Sequence, residues 1–152
     1  MIINDFRGDY AFLSNFFPAP VKWNDVLYPT VEHAYQAAKT TNEEDREWIR
    51  SAPTPAIAKK RGSLRGVDGR KIELRASWDA GGKVFVMTCL LSRKFEEEPL
   101  RSMLLATGDA ELIEDNWWGD RFWGVCNGEG ENHLGKILMR LRDEFRNLLE
   151  EQ

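Results

Sequence analysis

The clearest hydrophobic rhythm lies near the C-terminus, where Leu134, Ile137, Leu138, Leu141, Phe145, Leu148 and Leu149 recur at helical spacing. Lys136, Arg140, Asp143, Glu144 and Arg146 fill the opposite face, so the pattern predicts a long amphipathic helix with Asn132 as its candidate cap. A second stripe (Val84, Met87, Leu90, Leu91 and Phe95) predicts a helix over 83–95. Shorter helices are predicted from Val31 to about Thr40 behind Thr30, over 43–50 behind Asn42, over 54–64, and over 100–106 before Gly108. Elsewhere the apolar pieces lack that period. They suggest a strand over 1–6, an irregular aromatic segment over 11–18, and a strand over 111–114. Val21-Lys22-Trp23 and Val26-Leu27-Tyr28 flank Asn24-Asp25, the signature of a small hairpin. The expected fold is mainly α, an α+β arrangement with a few short strands, in a single domain over 1–152.

Composition narrows the possibilities. Apolar residues make up 42% and charged residues 30%, as in ordinary globular chains and unlike disordered ones. The net charge of −4 does not suggest a protein built to grip duplex DNA. Lys59, Lys60, Arg61, Arg65, Arg70, Lys71 and Arg75 nevertheless form a local basic strip. It reads either as a solvated face or as a phosphate-binding strip beside a site. Cys89 and Cys126 stand far apart in no metal-ligand spacing and read as small buried residues of a reducing compartment. Neither His33 nor His133 sits in a carboxylate cluster, so no metal is expected. No apolar stretch at the start suits a secretory signal, and none elsewhere could span a bilayer. The location is expected to be cytoplasmic, with no membrane partner.

Two constellations could carry chemistry. Glu32, Gln36 and Lys39 follow at i, i+4 and i+7, which puts a carboxylate, an amide and an ammonium on one helix face while His33 and Tyr35 point elsewhere. Such a face is either a surface pairing or the working side of a pocket. Farther on, Glu114 to Gly124 interleaves acids with aromatics, including Trp117, Trp118, Asp120 and Trp123. A loop of this kind can wall a cleft in which flat ligands stack. The glycine-rich stretch from Gly128 to Asn132 then enters the last helix, whose first N–H groups could seat a phosphate.

Several strings carry a resemblance. Phe12-Leu-Ser-Asn-Phe-Phe-Pro18, Tyr28-Pro-Thr-Val-Glu-His-Ala-Tyr-Gln-Ala-Ala-Lys39, Lys94-Phe95, Leu104-Leu-Ala-Thr-Gly108, Asp120-Arg-Phe-Trp-Gly124 and Gly130 to Met139 together resemble the YbiA-like, or NADAR, family. The blocks run in the family's order across nearly the whole chain. After Gly124 the sequence Val-Cys-Asn-Gly-Glu departs from the family's frequent second glycine.

The resemblance implies an N-glycosidase that cleaves a ribosyl–nitrogen bond without a cofactor. The implied substrate is either a ribosylaminopyrimidine phosphate of riboflavin biosynthesis or an ADP-ribosylated guanine in DNA or RNA. The ligand is then of nucleotide or ADP-ribose type. The implied catalytic residues are Glu32, Asp120 and Lys39, with Lys39 either an imine-forming nucleophile or a phosphate holder. Asn15, Gln36, Trp78, Trp118, Trp123, Gly124 and Asn132 are the implied substrate-binding set. A non-catalytic reader of NAD or ADP-ribose, and a purely structural domain, are the rival expectations.

Overall fold

A computed structural model describes residues 1–152. The fold is mainly helical, with six α-helices and three separate two-stranded pairings. The chain divides into two compact units, Asn15–Lys94 and Met1–Ser14 with Phe95–Gln152.

In the Asn15–Lys94 unit, β2 (Val21–Trp23) and β3 (Val26–Tyr28) pair antiparallel, Val21 opposite Tyr28. Asn24 and Asp25 both adopt positive φ (49° and 62°), which a two-residue hairpin turn of right-handed twist requires. The α1 helix (Val31–Ala37) follows, with the Thr30 hydroxyl accepting the His33 N–H at 3.1 Å. It stops short of the expected Thr40. Lys39 N–H and Thr40 N–H reach back only three residues, so the last turn tightens into 3-10 geometry.

The next helices, α2 (Glu43–Arg50) and α3 (Pro55–Arg61), are capped by the side chains of Asn42 and Thr54. The α3 helix begins at Pro55, whose missing N–H costs nothing at a first turn, and ends at Gly62. It is therefore shorter than the expected 54–64. Both α2 and α3 pack on α1, whose Ala34, Ala37 and Ala38 are fully buried and small enough to admit close neighbours. A π-type turn over Trp78–Gly82 then leads into α4 (Lys83–Glu96), along which Met87, Leu90 and Leu91 are buried. Cys89, expected to be buried, is only half so.

In the other unit, the expected strand over 1–6 shrinks to β1 (Ile2–Ile3). It pairs in parallel with β4 (Glu111–Leu112), itself shorter than the expected 111–114. The irregular aromatic segment begins as a 3-10 turn over Gly8–Leu13, and Phe12 meets Phe95 edge-on with centroids 6.5 Å apart. After α5 (Leu100–Leu105), β5 (Asp115–Asn116) and β6 (Val125–Cys126) pair in parallel around the acidic–aromatic loop. The last helix, α6 (His133–Glu150), buries Leu134, Ile137, Leu138, Leu141 and Phe145 of the stripe expected from the sequence, while Leu148 and Leu149 in its last turn are exposed.

Asn132 precedes α6 but does not cap it in the expected way. Its backbone is left-handed (φ 52°), and its side chain makes no bond to the helix. Instead, Oδ1 accepts the Glu114 N–H at 3.0 Å and Nδ2 donates to the Leu112 carbonyl at 2.9 Å, tying the helix start to the strand segment.

Candidate active site

Every residue of α1 is buried, polar ones included. Glu32 is 7% exposed and Gln36 4%, so their i,i+4 relation is not a surface pairing. A carboxylate withdrawn from water costs several kcal/mol unless it is hydrogen-bonded. Gln36 supplies such a bond, Nε2 donating to Glu32 Oε1 at 2.8 Å. The Glu32 N–H donates to the Asn15 carbonyl at 3.1 Å, which fixes the backbone beneath the carboxylate. Asn15 itself is buried. Its Nδ2 reaches only the Met87 sulfur, at 3.5 Å, and its Oδ1 has no hydrogen-bond partner.

Lys39 lies just past the helix end and is half-buried. Its Nζ donates to the Gly62 carbonyl at 3.3 Å and stands 5.6 Å from the centre of the Tyr35 ring. Burial holds the Lys39 amine below the usual lysine range. The nearby charge of Glu32 opposes that shift, as does Asp79, while Lys59 and Lys83 add to it. Tyr35 does not point away from this group as expected. Its ring lies 5.2 Å from that of buried Trp78, so the aromatic pair and Lys39 share one corner. Tyr35 and Lys39 are four residues apart, a spacing that brings side chains together along one helix face. His33 serves the framework instead. Its Nδ1 is 2.8 Å from the Thr30 hydroxyl, and its Nε2 is 2.9 Å from the Ala52 carbonyl. A carbonyl can only accept, so Nε2 carries the hydrogen.

The acidic–aromatic loop belongs to the other unit. Asn116 brackets Asp120 with two bonds: Nδ2 donates to the Asp120 carbonyl at 2.8 Å, and Oδ1 accepts the Asp120 N–H at 2.9 Å. Asp120 Oδ1 in turn accepts the N–H groups of Phe122 (3.1 Å) and Trp123 (2.9 Å), closing an Asx-type turn. The tryptophans do not form one wall. Trp117 is 87% exposed, and Trp118, 49% exposed, meets it edge-on with centroids 5.7 Å apart. Trp123 is half-buried and stands edge-on to Phe122, at 4.9 Å.

One expectation for this unit needs correction. The start of α6 is not an open phosphate seat, because the chain's own carbonyls occupy it. The N–H groups of Asn132, His133 and Leu134 donate to Gly124, Phe122 and Trp123 respectively. Gly124 and Asn132, also expected to bind substrate, each make close internal contacts. A Cβ at Gly124 would overlap the Glu114 carbonyl and sit 2.8 Å from Asn116 Nδ2, and both polar ends of the Asn132 amide are already bonded.

The basic strip divides in two. Arg61 and Arg70 stack on Trp48, their guanidinium carbons 5.2 and 4.4 Å from its ring centre, and Arg75 donates to the Ala38 carbonyl at 3.3 Å. These arginines hold the unit together. Lys59, Lys60, Arg65 and Lys71 remain on the surface. No three His, Cys, Asp or Glu side chains group where they could hold a metal ion, and no helix is long and apolar enough to cross a membrane. Sequence reasoning missed Tyr35 and Gly62. For Gly62, the only available signal was a glycine closing a short helix, which reveals nothing of its contacts.

Known proteins resemble this chain over most of its length. A family model described as the NADAR domain matches residues 4–146. The N-glycosidase YbiA of Shigella boydii is 40% identical over 142 residues, which cover 90% of this chain and 82% of that protein. The riboflavin biosynthesis protein VVA0006 of Vibrio vulnificus is 35% identical over 140 residues, covering 91% of this chain but 36% of that protein. The NMR structure of Escherichia coli YbiA superposes with a TM-score of 0.83 at 37% identity, covering 100% of this chain and 88% of that one.

Proposed function

The chain belongs to the NADAR domain family, and on that footing we propose that it is an N-glycosidase hydrolysing the bond between a ribosyl C1′ and the nitrogen of a base. Curated relatives of nearly the same length carry that activity in their names. The observation that carries the reading in this chain is one buried helix with its immediate C-terminal extension. It presents a carboxylate fixed by an amide, and beyond it an amine held below its usual pKa.

Breaking a C1′–N bond builds positive charge on the sugar, and a preorganised carboxylate in a dry setting stabilises that charge. Glu32 takes this role, with Gln36 fixing its orientation. Lys39, its amine held below the usual lysine range by burial, acts as nucleophile at C1′. Its nitrogen bonds to C1′ as the bond to the base breaks, and the base leaves with a proton. The sugar ring opens to an imine, and water returns the free sugar and the amine. Asp120 is proposed as a further working carboxylate of its own loop through Oδ2, since Oδ1 is spent on that loop. The unpartnered Asn15 Oδ1 accepts an N–H or hydroxyl of the substrate. Trp118 and Trp123 offer rings for stacking, and buried Trp78 supports Tyr35.

A small ribosylaminopyrimidine phosphate is the substrate that best agrees with the acidic net charge and with a relative named for riboflavin biosynthesis. An ADP-ribosylated guanine in nucleic acid is the second reading, favoured by the exposed Lys59, Lys60, Arg65 and Lys71. Incubating the protein with each in parallel, and following release of the free base, tests the proposal. Cleavage of one substrate supports it and identifies the class. Saturable ADP-ribose binding with neither substrate cleaved assigns the chain to non-catalytic readers instead. Borohydride added during turnover should trap sugar on Lys39, and turnover without any adduct would return Lys39 to phosphate binding.

A further inference from the structure

Gly62 touches the machinery of α1 in two ways. Its carbonyl is the acceptor for Lys39 Nζ, at 3.3 Å. Its missing side chain leaves the space that Gln36 fills: a Cβ built at residue 62 would overlap Gln36 Oε1 and lie 2.8 Å from both Gln36 Cβ and Cδ. The amide is locked in this orientation, since only the NH2 end can donate to the Glu32 carboxylate. Oε1 is therefore driven against the glycine, and it has no hydrogen-bond partner there. Leaving a buried carbonyl unbonded is costly, and the fold accepts that only for a geometry it otherwise needs.

Backbone conformation does not explain the glycine. Gly62 has φ −83° and ψ −2°, ordinary right-handed values that alanine adopts without strain. What residue 62 cannot accommodate is volume. Of the chain's glycines, this is the one whose added Cβ would strike Gln36.

We infer that Gly62 is a positioning residue that sets Glu32 and Lys39 together, acting on the first through the Gln36 amide and on the second through its own carbonyl. The inference rests on the proposed roles of Glu32 and Lys39, but the contacts at Gly62 do not depend on those roles. One residue at the end of α3 thereby fixes where the carboxylate points and where the amine sits. A shift of α3 would misplace both at once. The charged groups acting on the amine are Glu32 on α1, Lys59 on α3, Asp79 in the π-type turn and Lys83 on α4.

The test compares the wild type, Gly62→Ala, and Gly62→Ala combined with Gln36→Gly, which removes every Gln36 atom that the new Cβ would strike. Two properties are read: steady-state turnover of a cleaved ribosyl–nitrogen substrate, and the titration of the Lys39 amine, followed by its rate of reductive methylation against pH. In G62A, kcat should fall about 10- to 100-fold with KM changed less than about threefold, as when geometry rather than binding is lost. The Lys39 midpoint should move by about half a pH unit or more. In the double variant the overlap is relieved. The Lys39 midpoint should return to its wild-type value and most of the thermal stability should recover, short of what a glycine inside α1 costs, while kcat stays low because Glu32 has lost its amide.

Should G62A fail to fold, a folded double variant with the wild-type Lys39 midpoint still supports the inference. A G62A protein with wild-type kcat and Lys39 midpoint overturns it, as does a double variant that regains full turnover or remains unfolded. If the wild type cleaves no ribosyl–nitrogen substrate, the proposed function falls, while the Lys39 titrations still decide whether Gly62 sets that amine.

Discussion

Asp120 Oδ1 accepts the Trp123 backbone N–H at 2.9 Å, so the carboxylate expected to do chemistry also shapes the loop that carries it. The same oxygen accepts from Phe122, and Asn116 holds the Asp120 backbone on both sides. Under the proposed function one side chain serves two purposes, and substitutions can separate them.

Asp120→Asn keeps an oxygen able to accept both N–H groups but removes the charge, whereas Asp120→Ala removes both. The asparagine variant should stay within about 0.5 kcal/mol of wild-type stability while losing at least about a hundredfold in kcat. The alanine variant should lose activity and also about 1–3 kcal/mol of stability, two backbone donors being left without their acceptor. Urea unfolding beside steady-state kinetics distinguishes the two effects. Equal stability losses in both variants would show that the charge, rather than the acceptor, holds the turn.

Lys94 gives the pH dependence of stability a definite sign. The side chain is 1% exposed, its Nζ is 5.6 Å from the Phe17 ring centre, and burial pushes the amine down to about 7. The unfolded chain keeps that proton up to the ordinary value of 10.5. Between these values the unfolded state binds more protons than the folded one, so this group makes stability rise with pH across that window. Its contribution is on the order of 1 kcal/mol per pH unit. Urea midpoints at about pH 7.5 and 9.5 should show this rise in the wild type. In Lys94→Met the rise should shrink.

Asn132 should behave as a structural latch. Asn132→Ala loses both bonds, to Glu114 and Leu112, and puts a Cβ-bearing residue without a local polar partner in left-handed backbone. A loss of about 2–4 kcal/mol is expected. Asn132→Gly loses the bonds without the backbone strain, so it should be the milder variant by about 1 kcal/mol. Thermal unfolding of the pair checks the order.

The parts legible in the sequence were those decided locally. The Asn24-Asp25 turn, the Thr30 and Asn42 caps and the α6 stripe each follow from residues a few positions apart, and each is present. The site was legible only as far as the Glu32–Gln36 spacing, where i,i+4 geometry settles the contact. What escaped depended on segments far apart in sequence. No pattern announces that the carbonyls of Phe122, Trp123 and Gly124 will consume the free end of α6, or that Arg61 and Arg70 will stack on Trp48. Tyr35 escaped for a different reason. It stands i,i+4 to Lys39, so a face drawn only through Glu32, Gln36 and Lys39 is too narrow to include it.

The central claim is that the buried carboxylate of Glu32 drives cleavage of a ribosyl–nitrogen bond. Single-turnover cleavage by Glu32→Gln, on a substrate the wild type turns over, tests it most directly, with unfolding curves recorded on the same sample. The account predicts a rate at least about a hundredfold below wild type in a protein that retains its fold. A folded Glu32→Gln protein that cleaves within about threefold of the wild-type rate would contradict it.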